Sequence, residues 1–446
     1  MKYLFIIFIF LFLASCQGRN THTDSQASTF GGNDTILIAT DDATAVNQVD
    51  AGEATVHEVS VDEMTADEVV TAEPVDIPGF GLPTITINPD RQTAGQLTLN
   101  DITKSIEYIP LETNEKCLIG TVGDVILSEN YMLIRCAQTS LMYLFKRTGE
   151  FVSKIGNVGQ GPNEYPHREG QPVYIDEQND QVIIFSTTNS KLLYYSANGS
   201  FLKSSSMKVH ETRVEISFYN DFIVRKIPNN GTTTQFSYEI LNHDGETVSQ
   251  HIRPVQYRAR STSIGPGLSS FSEYVYNDQM HIRATILNDT VYAINNDFAF
   301  IPKYIINSTR DKTVDMLSVG NTSNIHETVY YQSLFETRDY ILIHYATVEN
   351  LMIQSHFCYY QKKDNRLMHF PKSSIVIPND YDGGLHFWPL YQYNDQLFAF
   401  RDAYRFIENE NKLKPQGPAD AVERLNQLSR TMDPEDNPVM VVVTLK

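Results

Sequence analysis

Leu13-Ala14-Ser15-Cys16 is the stretch of this 446-residue chain whose residue types and order carry the most specific chemistry. A branched apolar residue, two small residues and a cysteine form a lipobox. The small side chains let a peptidase grip an extended backbone, and the Cys16 thiol is the acceptor for a diacylglycerol. Lys2 supplies a positive charge, and Tyr3 through Leu13 is almost wholly apolar. About eleven residues are too few to cross a bilayer core, which takes roughly 20, and suit a signal-peptide core. Residues 1–15 therefore read as a lipoprotein signal peptide and Cys16 as the lipidated N-terminus. A multiply acylated terminus anchors stably where one chain binds marginally. Gln17-Gly18-Arg19-Asn20 lacks the acidic run that sends some lipoproteins to the outer surface. The expected location is the cell envelope, on the outer membrane and facing the periplasm.

Two further stretches carry candidate ligand chemistry. Gly156-Asn157-Val158-Gly159-Gln160-Gly161-Pro162-Asn163-Glu164-Tyr165 is a glycine-rich loop followed by His167 and Arg168. A phosphate cradle would need backbone N–H groups opening a helix with a Lys nearby. Here strands bound the loop and Pro162 removes a donor. The bland reading is a crossover that needs positive φ at its glycines. The sharper one groups Glu164, Tyr165, His167 and Arg168 at a ligand site. Asp382-Gly383-Gly384-Leu385-His386-Phe387-Trp388 holds the sole Trp beside an acid and a His. Asp382, His386 and Trp388 would suit a sugar or peptide pocket, against the alternative of a buried strand after a Gly-Gly turn.

Other chemistry is thin. The 12 His include no HxH or HExxH, and no GxSxG or CxxC occurs. His326, His344 and His386 fall in different units of the chain and would meet only at a common axis. No metal or cofactor is expected. Asp34-Thr35-Ile36 has the form of an O-glycosylation sequon, but three residues specify little. Cys117, Cys136 and Cys358 remain besides Cys16. Cys136 should face a residue near 122 across a hairpin, which leaves Cys117 too far along the strand for a disulfide. Buried free thiols are expected.

The formal net charge is −19, and it is unevenly placed. Residues 20–90 hold 14 Asp and Glu and no Lys or Arg, and residues 91–446 carry −7. Residues 16–81 thus read as a disordered acidic tether, too poor in apolar surface to offset its conformational entropy. The remainder lacks the basic face that nucleic acid requires. The whole chain's 25 Tyr and 23 Phe are enough to fill a large core.

From about residue 100, short apolar runs alternate with turn residues. A polar pair recurs before a strand at Glu129-Asn130, Asn179-Asp180, Asn220-Asp221, Asn277-Asp278, Arg338-Asp339 and Asn394-Asp395. Asn and Asp tolerate φ > 0 and bond their own backbone, which suits tight hairpins. The intervals of 50, 41, 57, 61 and 56 residues leave room for four strands per unit. This predicts an all-β, six-bladed β-propeller over residues 82–446. Paired β-sandwiches would want a central linker, and a β-helix shorter repeats. Val422, Leu425, Leu428 and Met432 recur at helical spacing between Pro418 and Pro434, predicting an amphipathic helix over 419–432. The run Pro438–Leu445 should close the ring against Thr84–Ile87 or Ile106–Leu111.

Glu107-Tyr108-Ile109-Pro110-Leu111-Glu112-Thr113 resembles the opening strand of a family of bacterial six-bladed β-propeller lipoproteins. The Gly156–Tyr165 loop is similar to that family's first interblade loop and to the loop of NHL repeats. Asp380-Tyr381-Asp382-Gly383-Gly384 and Asp436-Asn437-Pro438-Val439 resemble its closing motifs. Asn157 and Asn163 depart from the pattern. The resemblance implies a propeller in the envelope and no settled reaction.

The expected role is a lipid-anchored binding protein for a glycan, peptide or partner envelope protein. The alternative is a hydrolase or lyase at the propeller axis. Cys16→Ser should move the chain from the detergent phase to the aqueous phase of a Triton X-114 partition. A wild-type chain already in the aqueous phase would rule out the anchor.

Overall fold

The computed structural model describes residues 81–446, except 91–92, 169, 187, 189, 208–214, 228–235, 253–271, 284–288, 311–328, 350–351, 371–375 and 410–417. The lipobox, the acidic tether, Thr35 and His326 lie outside the described residues.

β1 (Thr84–Ile87), the one-turn helix α1 (Leu99–Ile102) and β2 (Thr103–Pro110) come first. Antiparallel meanders follow. The first is β3 (Val122–Leu127), β4 (Tyr131–Cys136), β5 (Met142–Lys146) and β6 (Phe151–Ile155). The second is β7 (Val173–Asp176), β8 (Gln181–Ser186), β9 (Lys191–Ser196) and β10 (Phe201–Ser206). The third is β11 (Glu215–Tyr219), β12 (Phe222–Lys226), β13 (Phe236–Leu241) and β14 (Thr247–Ile252). Next come β15 (Ser272–Tyr276), β16 (Gln279–Arg283), β17 (Thr290–Ile294) and β18 (Phe300–Ser308). Then follow β19 (Tyr330–Glu336), β20 (Tyr340–Glu349), β21 (Met352–Gln361) and β22 (Arg366–His369). The chain finishes with β23 (Tyr391–Tyr393), β24 (Gln396–Arg401), helices α2 (Ala403–Asn409) and α3 (Ala419–Thr431), and β25 (Val439–Leu445).

The protein is an all-β propeller with few helices. The hairpins fall where the polar pairs stand, and Asp180, Asn220, Asn277, Asp278 and Asn394 take positive φ. Middle strands such as β8 and β9 are continuous apolar runs because neighbouring sheets cover both their faces. The outer strand β14, with the sequence TVSQHI, has only exposed and half-buried residues.

Six separate sheets were expected; strand pairing gives four, plus one of nine strands in the order β1-β18-β17-β16-β15-β23-β24-β25-β2. The cause is local. β15 and β23 pair in parallel at Val275 and Tyr393, and the Asn394 N–H donates to the Val275 carbonyl at 2.9 Å. The Asn394 side chain also donates to Asp278 at 2.7 Å. The strand before the Asn394-Asp395 turn begins only at Tyr391, because Pro389 cannot donate to a ladder.

The expected closure holds for one of its two neighbours. β25 pairs with β2 from Thr103 opposite Leu445 to Pro110 opposite Val439. β1 instead adds in parallel to β18. Asn437, 2 % exposed, clamps the closure: its Nδ2 donates to the Glu112 and Cys117 carbonyls and its Oδ1 accepts from the Ile119 N–H, each at 2.7 Å. Val122 stands opposite Cys136, and Cys117, Cys136 and Cys358 are buried free thiols. Among the described residues no helix is long and apolar enough to cross a membrane.

His251, His344 and His369 are pushed down to about 4, in each case chiefly by burial. They are neutral in the fold and titrate near 6.5 when unfolded. The unfolded chain then binds more protons between those values. Their stabilisation is complete above pH ~6.5 and is lost as pH falls towards about 4. The thermal midpoint should fall between pH 6.5 and 5, above most carboxylate titrations, and His344→Phe should flatten that fall. A midpoint constant over this window would count against neutral burial of these rings.

Candidate functional site

The glycine-rich loop folds into a packed strap. The Gly159 N–H donates to the Tyr165 carbonyl at 2.9 Å, and the Tyr165 N–H to the Asn157 carbonyl at 3.1 Å. Glu164 turns inward and accepts the Gly161 N–H at 2.9 Å. A Cβ at Gly159 would meet the Glu164 carboxylate, so a larger residue there would turn that side chain away from the Gly161 N–H. Tyr165 is fully buried. Its hydroxyl donates to the Ile155 carbonyl at 3.0 Å and accepts the Met142 N–H at 3.1 Å. Burial raises its pKa. As placed, Tyr165 holds the loop against β5 and β6 and Glu164 closes the loop on itself, while His167 and Arg168 are exposed beside it.

Asp382 is also fully buried, at the centre of a polar node. Its Oδ1 accepts from the Tyr108 hydroxyl at 3.1 Å, Asn379 Nδ2 at 2.7 Å and the Gly384 N–H at 2.9 Å. Burial first, and the Asp382 charge second, hold Tyr108 well above the ordinary phenol value. Its hydroxyl therefore stays a donor. Trp388 is 8 % exposed and packs edge-on against Phe357, with ring centres 4.6 Å apart. It offers no open face for stacking a ligand. His386 is exposed, and its Nδ1 lies 3.4 Å from the Asn379 N–H. The two candidate groups thus sit on different elements and bind different partners.

Tyr108 leads from the Asp382 node to an open cleft of about 340 Å³. One wall is Glu107, Tyr108 and Ile109 of β2. The other is Arg424, Gln427, Leu428 and Thr431 of α3. These helical positions are spaced i, i+3, i+4 and i+7, so they form one stripe. The adjoining flank of α3 buries Leu425 in the core shared with Ile106 and Val443, and Leu428 packs against that core. The cleft mixes apolar surface with an acid, a base and an amide, the composition of a recognition site. Glu107 supplies its carboxylate, and Tyr108 and Thr431 its hydroxyls. Both walls were legible as elements, a strand at 107–109 and an amphipathic helix at 419–432. Nothing local in the sequence joins them.

A second polar cluster lies between β15–β18 and β19–β22. Glu336, 3 % exposed, accepts from Tyr274 at 3.0 Å, Lys362 at 2.6 Å and the Tyr304 hydroxyl. His281 stacks on Tyr274 with ring centres 4.8 Å apart, and burial lowers its pKa. Both Glu336 oxygens are engaged, so the cluster is a clamp between sheets. Among the described residues no three His, Cys, Asp or Glu side chains are grouped to hold a metal.

The profile of a domain of unknown function, DUF4934, matches residues 82–444. The chain belongs to the DUF4934 family. No curated protein matches the sequence. Among solved structures, this DUF4934 chain is similar to a protein from Bacteroides fragilis described as exported. Identity is 18 % and the TM-score 0.59, over 81 % of this chain and 99 % of that one. A DUF4221-family member from Bacteroides vulgatus aligns at 13 % identity and a TM-score of 0.43, over 80 % and 99 % of the two chains. At these identities the likeness concerns the fold of the DUF4934 domain alone.

Gly384 fixes the node beside the cleft. A Cβ there would lie 2.3 Å from the Tyr108 hydroxyl. Gly384→Ala should displace Tyr108 and lower stability by about 1–3 kcal/mol. Gly81→Ala, where the added Cβ meets nothing within 4 Å, should be neutral. Equal urea midpoints for the two variants would show that Tyr108 is not held as described.

Proposed function

We propose that this DUF4934 protein is an envelope lipoprotein whose propeller binds a glycan, peptide or partner protein and catalyses no reaction. The cleft between β2 and α3 carries the reading. It is concave and carries both charges beside apolar surface. In this reading residues 1–15 are removed, a lipid on Cys16 holds the chain to the outer membrane, and residues 16–81 space the domain from it. The family match beginning at 82 supports that domain boundary. A solved relative of this fold described as exported is in keeping with an envelope location.

The propeller is proposed to be six-bladed. The nine-stranded sheet divides into β15–β18 and β23-β24-β25-β2, two meanders of the same form as the four separate sheets and joined by one residue pair. A hydrolase or lyase at the axis would want acids or histidines converging on an open channel. In a six-bladed ring β15 and β23 would be innermost strands, and their pairing draws two blades together there. Exposed His167 and Arg168 remain candidates for a secondary contact, and Asp382 for positioning Tyr108.

A photo-crosslinking residue at Gln427, introduced in cells, should yield discrete adducts. The same residue at Lys203, exposed on β10, should not. Identical adducts at both positions, or none at 427, would remove the cleft as the binding site.

A further inference from the structure

β2 is the terminal strand of its sheet, and α3 stands beside its free edge. The Leu111 N–H donates to the Pro438 carbonyl at 3.2 Å. Leu111 continues the register that sets Glu107 opposite Val442 and Ile109 opposite Met440. In an antiparallel pair, successive residues direct their backbone groups alternately to one side and the other. Glu107, Ile109 and Leu111 therefore face β25. Ile106 and Tyr108 aim their N–H and C=O groups away from it, towards the cleft. The Lys104 carbonyl, at the start of that outer edge, already accepts the Tyr381 hydroxyl at 2.9 Å.

Two other outer strands of this protein are completed by an added extended segment. β1 joins β18 in parallel, from Thr84 opposite Ile305 to Ile87 opposite Ser308. Residues 93–95 run along β22, with the His369 N–H donating to the Thr93 carbonyl at 2.7 Å and the Gly95 N–H to the His369 carbonyl at 2.8 Å. The edge of β2 presents the same backbone chemistry, with a helix stripe above it.

We infer that the cleft takes an extended polypeptide of a partner, added as a further strand to β2 beneath α3. This rests on the cleft being a binding site and names what binds there. The outward backbone groups of β2 recur every two residues, about 6.8 Å apart. That spacing matches the N–H and C=O groups of another strand and not the hydroxyl set of a sugar ring. Main-chain bonds supply affinity in such an arrangement, and side-chain pockets supply selectivity. Ile109 and Leu428 offer an apolar seat to one peptide side chain. Arg424, paired with Asp420 at 3.0 Å on the exposed face of α3, can turn to a peptide carboxylate. Glu107 offers the complementary contact to a basic residue.

The test uses the full mature chain, a positional library of acetylated, amidated heptapeptides, and a panel of envelope glycans. A selected peptide should slow hydrogen exchange at the Tyr108 amide at least tenfold. N-methylation at alternate peptide positions should weaken binding tenfold or more, with little effect at the positions between. Gln427→Arg should weaken binding tenfold while leaving the thermal midpoint in place. Peptide binding that leaves the Tyr108 amide unprotected, or tolerates every N-methylation, overturns strand addition and leaves a binding cleft. Glycan binding lost in Gln427→Arg, with no peptide binding, overturns the peptide inference alone. If no probe of either class responds to Gln427→Arg, both the inference and the binding reading fall.

Discussion

The pairing of β2 with β25 is the contact on which the other features depend. It gives the last meander its fourth strand and brings Met440 and Val442 against Ile134 and Phe145 of the first. Asn437 locks it by satisfying three buried backbone groups with one side chain. Leaving such groups without partners costs about 1–3 kcal/mol each. The same pairing decides which edge of β2 stays free. With one row of its backbone groups spent on β25, only the other row is left, and α3 stands above it.

The polar side chains that resemble an active centre mostly serve this assembly. Glu336 gathers two phenols and a lysine between sheets, and Asp382 ties Tyr108 to the turn before Phe387. Glu336, with donors on both oxygens, and Asp382, with three on Oδ1, are held as fixed acceptors. In the proposed reading, binding falls to the half-exposed residues at the sheet's edge, where the backbone itself is the principal hydrogen-bonding surface.

The hairpins were legible because their chemistry is local. An Asn or Asp that must take positive φ announces the turn, as at Asp180, Asn277 and Asn394. The helix at 419–431 and its buried Leu425 followed from spacing alone. The loss of two separate sheets was not legible, because it turns on a single contact between Val275 and Tyr393, far apart in the chain. The sites suffered from ambiguity of residue type. Tyr165 and Trp388 have the chemistry of ligand contacts, yet aromatic rings serve equally well in a core, and only packing shows which. Glu107 and Arg424 gave no sign of a site, because each is ordinary in its own element. The cleft arises from their meeting across more than 300 residues.

That separation also has a meaning in time. β2 is synthesised long before β25, and at ribosomal rates of roughly 5–20 residues per second the interval is about 15–65 s. Throughout it β2 has both edges open, and the apolar strands next to it lack their cover. A chain in that condition presents unpaired strand edges, to which other strands can add. The helix that walls the cleft is itself made only just before β25. The cleft is thus among the last features of the molecule to form, and it exists only once β25 has closed the sheet.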